Sequence, residues 1–151
     1  MMQEGVELNA ARHNVLNAAF YSALLAKAFA LAARIQEGLA TLERAMFQAE
    51  ETGERFYQAE LFRLAGELKC SGNSDANAAE GCFLSALKVA RSQQAKSLEL
   101  RATTSLARLL AKEGKRDEAR AMLAEIYNWF TEGFDTADLK NTKALLDELS
   151  E

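Results

Sequence analysis

The chain has 151 residues, 49% of them hydrophobic and 26% charged, with a net charge of -4. That is enough apolar material for one domain with a continuous core, and the acidic balance would repel a phosphate backbone, which argues against nucleic acid as a direct ligand. Proline is absent and only Cys70 and Cys82 carry thiols, so a disulfide framework is excluded and the connections must be turned by residues such as glycine or asparagine.

Taken in chain order, apolar residues recur at helical spacing in seven blocks, roughly 12–33, 35–52, 54–70, 76–92, 95–113, 116–130 and 136–149. The first block contains a run from Val15 to Ala33 apolar enough to imitate a membrane span, but Asn17, Ser22 and Lys27 interrupt it, and it reads as a buried helix. No glycine or proline separates Ala33 from Ile35, so one long helix across the first two blocks is the alternative there. Later ends are better marked. Gly53, Gly72, Gly114 and Gly133 stand where a left-handed residue would close a helix, and Asp75, Asp135 and Thr136 stand where N-caps would open the next. The polar run from Cys70 to Asn77 reads as an interhelical loop.

The segment Lys112 to Ala119, KEGKRDEA, is the sharpest local signal. Gly114 supplies a turn, Asp117 and Glu118 favour a helix N-terminus, and Ala119 is small enough to let two helices cross closely. In the last block, Leu139, Leu145, Leu146 and Leu149 form an apolar stripe, with Asp138, Lys140, Lys143, Asp147 and Glu148 predicted to face outward. Trp129 and Phe130 close the preceding hairpin, Gly133 permits a reversal and Phe134 packs back.

Aligning the blocks exposes an internal repeat. Ala26, Gly66 and Ala107 are equivalent at steps of 40 and 41 residues. Each is followed in the next block by a small, large and hydrophobic trio: Gly38, Leu42 and Ala45; Ala79, Phe83 and Ala86; Ala119, Leu123 and Ile126. Small residues let neighbouring helices approach while the large ones fill the space between layers. This pattern resembles three tetratricopeptide repeats, at about 14–53, 54–94 and 95–130, followed by a capping helix at 136–149. It departs from the short consensus in its longer helices, in Gly38 where alanine is usual, and in Lys69 where an aromatic or leucine is usual. The expected fold is therefore all-α, a single right-handed α-α superhelix of three hairpins with a C-terminal cap.

A narrower likeness lies in AELFRLAGEL at Ala59 to Leu68, in the stretch from Ala95 to Tyr127, and in the ending from Trp129 to Leu149. These are similar to the C-terminal repeat segment of bacterial class III adenylate or guanylate cyclases and related multidomain ATPase-type regulators. That resemblance implies the regulatory part of a bacterial cytosolic signalling protein. The catalytic motifs of that group are not among these residues, so no cyclase or ATPase activity is implied.

Enzyme chemistry has little to stand on. His13 is the only histidine, no serine or cysteine nucleophile has a patterned base, and no glycine-rich phosphate loop follows a strand. Two cysteines without further ligands make a poor zinc site. The expectation is a non-enzymatic module without cofactor or metal, and the lack of a charged-then-apolar leader predicts the cytoplasm.

Binding is expected on the groove formed by the first helix of each hairpin. Helical spacing puts Phe20, Ala23, Lys27 and Leu31, then Glu60, Arg63, Glu67 and Ser71, then Arg101, Thr104, Arg108 and Lys112 on that face. Lys27, Arg63, Arg101 and Arg108 would form a basic ladder suited to an acidic peptide or carboxylate. The plainer alternative is that these cations pair with Glu60, Glu67 and Glu99. Ala23 and Leu64 occupy places where the clamp of chaperone-tail-binding repeats would need polar residues, so chaperones are not the expected partner. The predicted partner is a protein or peptide segment. Two other classes remain: self-association through Phe20, Tyr21, Phe56 and Tyr57 or through Trp129 and Phe130, giving a homodimer, or a small-ligand or peptide-pheromone sensor with a closed apolar pocket around Phe20, Leu31 and neighbouring helices.

Overall fold

A computed structural model describes residues 21–53, 55–71 and 75–151. Within them there are seven helices and no strand: α1 (21–31), α2 (Ile35–Thr52), α3 (Gln58–Ser71), α4 (Ala76–Ser92), α5 (Lys96–Lys112), α6 (Arg116–Trp129) and α7 (Ala137–Ser150). From α2 onward each helix packs on its successor, and α3 also touches α5 while α5 touches α7. Among the described residues α2 does not touch α4, nor α4 α6. The odd-numbered helices are thus drawn together on one side and the even ones spread on the other.

Three connections are built alike. Ala33, Gln94 and Gly114 all have left-handed backbones, with φ of 59°, 55° and 85°. In each, the following amide bonds back to a carbonyl in the last turn: Arg34 to Phe29 at 2.8 Å, Ala95 to Ala90 at 2.9 Å and Lys115 to Leu110 at 2.9 Å. The left-handed residue's own amide also bonds back, Ala33 to Ala30, Gln94 to Arg91 and Gly114 to Ala111, each at 3.1 Å, and this double-bonded closure satisfies carbonyls that the helix end leaves open. It also ends the first helix without glycine, so the chain takes two helices there and Ala33 bears the left-handed strain that a Cβ imposes.

Other boundaries differ from the periodicity. The third helix starts at Gln58 rather than at 54, because Gly53 (φ 72°) turns the chain and Arg55 to Tyr57 form a further turn closed by the Gln58 amide on the Arg55 carbonyl at 3.2 Å. Asp75 and Thr136 do cap, accepting from the amides of Ala78 at 3.1 Å and Leu139 at 3.5 Å, whereas Asp135 only precedes its cap. Gly133 (φ 79°) does not end α6, which closes at Phe130 in an extended conformation; it shapes the turn before α7 instead. Gly72 lies outside the described residues.

The core follows the small and large alternation. All nine residues of the three trios are buried. At Gly66 a Cβ would meet the Phe83 ring at 2.5 Å, so only glycine lets α4 place this fully buried ring against α3. Gly38 is close to the same limit, with Leu68 at 3.0 Å and Phe29 at 3.4 Å. One cluster joins Ala23 and Ala26 of α1 to Leu42, Leu61 and Leu68, and another joins Phe83, Leu106 and Leu123 to Leu145 and Leu149 of α7. The last helix therefore covers the end of the core. No described helix is long and apolar enough to cross a membrane.

Candidate functional site

The side on which the odd-numbered helices converge carries a groove, and its polar middle is a cavity of about 240 Å³. α1 contributes Lys27, α3 contributes Arg63, and α7 contributes Asp138 and Asn141. α5 supplies the floor with Arg101, Thr104, Ser105 and Arg108, residues three or four apart that a helix places on one face. Every lining side chain is polar or charged, which fits an extended polar ligand better than an apolar small molecule.

Two of the cations are held from below. Glu60, only 4% exposed, accepts two bonds from the Arg63 guanidinium at 2.9 and 2.7 Å, and Arg101 lies 3.6 Å from the same carboxylate. Arg101 also donates to Asp138 at 2.8 Å. On the other side Ser105 donates to Glu67 at 2.6 Å, while Arg63 reaches Ser105 at 3.3 Å and Glu67 at 3.5 Å. Burial by itself would lower the Arg63 pKa, but the hydrogen bond and charge of Glu60, with Glu67 and Asp138 adding, carry it above the ordinary arginine value. Arg101 follows the same pattern: burial pulls down, Asp138 and Glu60 push up more strongly, and the result is raised despite neighbouring Arg63. The fork-shaped pairing with Glu60 fixes the plane of the Arg63 guanidinium, while Arg101 is held by one hydrogen bond and one longer ion pair.

The other two cations have no such anchor. Among the described residues, Lys27 and Arg108 make neither an ion pair nor a hydrogen bond, and both are exposed at the cavity wall. With Glu60, Glu67 and Asp138 set against Lys27, Arg63, Arg101 and Arg108, these seven side chains retain one positive charge on an otherwise acidic protein, and Lys112 next to Glu67 adds another. Lys27 and Arg108 are where an incoming anion would find an unshared donor.

Two more cavities adjoin the polar one. Ser105 and Arg108 also line a cavity of about 180 Å³ walled by Phe83, Leu109, Ala76 and Cys70, with Glu67 and Lys112 at its sides. Asp138 also lines a larger one of about 580 Å³, walled by Leu100, Leu139, Trp129 and Phe130. The Cys70 thiol is pushed up in pKa by burial first and by Glu67 next, against an opposing effect of Lys112. It is therefore a poor nucleophile at neutral pH. Both cysteines are free, and among the described residues no group of three histidine, cysteine or acidic side chains could hold a metal ion.

The predicted groove residues separate into three groups. Lys27, Arg63, Arg101, Thr104 and Arg108 line one cavity together, and Glu67 and Lys112 line its neighbour. Glu60 does not present itself to a ligand; it is the buried counterion beneath Arg63. Thr104 is mostly buried too, its hydroxyl donating to the Leu100 carbonyl at 2.8 Å and lying 3.1 Å from that of Thr142. Ala23 and Leu64 belong to the core, Leu31 is 91% exposed and outside these cavities, and Phe20 falls outside the described residues. Glu99 does not pair in the groove but accepts from Arg91 and Lys96, each at 3.1 Å, at the start of α5.

Asp138 was expected to face outward, and it turns inward to Arg101. Its spacing with Thr142, Leu145 and Leu149 places it on the buried stripe of α7, a signal present in the sequence. Ser105 and Asn141 carry no comparable signal, because a single polar residue on a helix does not reveal which neighbour it meets. No protein-family model matches the chain, and no curated protein is significantly similar to it.

Proposed function

We propose that the chain is a non-enzymatic protein-interaction module, a tetratricopeptide-like array of three hairpins and a cap, whose groove binds an acidic peptide segment or neighbouring domain. The observation that carries this reading is the pair Lys27 and Arg108, cations exposed on α1 and α5 at one polar cavity and without partners among the described residues. The repeat steps of 40 and 41 residues and the contacts of α5 with both α3 and α7 support the array. The likeness of the last two thirds to the C-terminal segments of bacterial class III cyclases supports a regulatory role in cytoplasmic signalling.

Arg63 and Arg101 would hold the groove rigid while Lys27 and Arg108 contribute the net attraction. A lysate pull-down with prey identified by mass spectrometry tests this. A prey whose binding segment is acidic, and which is lost with a folded Lys27→Glu, Arg108→Glu variant, is the expected result. A prey that survives this reversal rejects the groove.

A second reading, self-association, has its own observation. Tyr21, Leu24, Leu25 and Leu31 of α1 are all exposed, Leu31 at 91%, and recur at spacing that forms an apolar stripe. Sedimentation over a wide concentration range decides it: a dimer that dissociates on dilution supports the stripe as an interface, and a monomer throughout rejects it.

A further inference from the structure

The three adjoining cavities are all floored by α5, and the residues it gives them form one continuous course. Ser97 and Leu100 line the cavity with Trp129 and Phe130; Arg101, Thr104, Ser105 and Arg108 line the polar one; Ser105, Arg108, Leu109 and Lys112 line the cavity with Phe83. On a helix with 3.6 residues per turn these positions drift steadily round one face, from the side facing Asp138 of α7 to the side facing Glu67 of α3. The groove thus runs obliquely along α5 rather than straight across the helices. From Ser97 to Lys112 it is about 22 Å long at the helical rise, the span of about seven residues of extended chain.

The chemistry changes twice along that course. The middle is wholly polar and carries Lys27 and Arg108, and each end adds an apolar wall: Leu100, Leu139 and Phe130 at one, beside Glu132, and Phe83, Leu109 and Ala76 at the other, beside Glu67 and Lys112. We infer that the ligand is an internal peptide segment of about seven residues bearing an acidic side chain between two bulky apolar ones. This rests on the proposed peptide-binding function and specifies its ligand. The acidic side chain meets Lys27 and Arg108 in the middle, where the charges are complementary. An apolar side chain before it and another after it enter the end cavities. At about 180 Å³ the cavity beside Phe83 is smaller than the roughly 300 Å³ at which pockets for drug-sized ligands begin, and suits a single side chain. Because the course continues on both sides of the cations, the carboxylate is that of an internal residue and not of a chain end.

The inference is tested by selecting a phage-displayed library of randomised seven-residue segments, flanked by linkers, on the intact chain. The expected consensus has one acidic position with an apolar position on each side. Ser97→Trp, at an exposed residue, is expected to cover part of the apolar wall of the larger end cavity, and Ala76→Phe to fill the smaller one. Each should erase one apolar preference and weaken the consensus peptide at least about tenfold, leaving the acidic preference intact. Without any substitution, bound consensus peptide should slow alkylation of Cys70 by iodoacetamide at alkaline pH, where the thiol ionises, since it lines the cavity with Phe83. Acidic selection with no apolar position, apolar preferences untouched by both folded variants, or Cys70 unprotected in the peptide complex would overturn the inference while leaving an acidic groove in place. No enrichment at all, or a consensus insensitive to Lys27→Glu with Arg108→Glu, would overturn the groove as well.

Discussion

The polar cavity at the middle of the groove contains two pairs of cations that look alike in the sequence and differ in what lies under them. Arg63 and Arg101 share the buried carboxylate of Glu60, and each has a further acidic neighbour, Glu67 or Asp138. Lys27 and Arg108 lie on the same cavity with neither. One pair belongs to the architecture of the α3, α5 and α7 contact, and the other is available to a ligand. Charge on a helix face is therefore not by itself a measure of binding capacity; the second helix decides.

The sharpest way to break this contrast is to remove Glu60. It is only 4% exposed, and Arg63 beside it is mostly buried. Glu60→Ala would leave the mostly buried Arg63 guanidinium with only the longer 3.5 Å pair to Glu67, while Arg101 keeps Asp138, and the loss of a buried partner costs about 3–5 kcal/mol. Urea unfolding should show the midpoint falling by a corresponding amount with little change in slope. A loss below about 1 kcal/mol, the range of exposed pairs, would mean that Arg63 and Arg101 are as free as Lys27 and Arg108.

A second contrast lies between two glycines. Gly66 of α3 faces the Phe83 ring at distances a Cβ cannot occupy, while Gly81 of α4 has nothing within 4 Å of the place its Cβ would take. Gly66→Ala gains about 1 kcal/mol of helix propensity, but overpacking a fitted core costs about 1–3 kcal/mol, so a net loss is expected. Combining it with Phe83→Leu should recover part of the clash, giving a non-additive double-mutant cycle. Gly81→Ala has only the propensity gain and should stabilise by about 0.5–1 kcal/mol. Thermal melts of the four variants, Phe83→Leu alone included, measure both signs, and equal effects at the two glycines would remove the packing argument for Gly66.

Those glycines also mark how far the sequence could be read. The repeat alignment placed Gly66 at an interhelical crossing because small residues recur there at Ala26 and Ala107, and burial at all three follows from the same spacing. The all-α class was legible from the periodicity and from turn residues such as Gly53 and Gly114. Ala33 was harder, since a left-handed alanine is set by the packing of the helices on either side and not by its own preference. In the groove, spacing brought Lys27, Arg63, Arg101 and Arg108 to one face, yet it could not say that Glu60 lies beneath two of them. Arg101 finds Asp138 from 37 residues away, and a local pattern contains no trace of such a pair except the alignment of Asp138 with the apolar stripe of α7.

Asp138 also offers a way to sharpen the first contrast. It occupies Arg101 from the capping helix, with both side chains about one-third exposed, at 33% and 39%. Asp138→Asn removes a competing carboxylate and returns Arg101 partly to the ligand. The stability cost of such a partly exposed pair should stay near 1 kcal/mol or below. Affinity for an acidic peptide should rise, several-fold at low salt and less at high salt because exposed charge is screened. Fluorescence anisotropy with a labelled acidic peptide at two salt concentrations measures both, and unchanged affinity would mean that Arg101 faces its own helices only.

The smallest effect on stability is expected where the effect on binding is greatest. Lys27 and Arg108 have no described partner to lose, so Lys27→Glu and Arg108→Glu should each move the unfolding free energy by no more than about 0.5 kcal/mol. Set beside Glu60→Ala in the same urea experiment, they form the control that separates the two pairs of cations. A charge reversal that unfolds the protein would show that Lys27 or Arg108 also belongs to the architecture. A silent one leaves both side chains free to act on whatever enters the groove, and any binding lost in that variant is then lost from the surface and not from the fold.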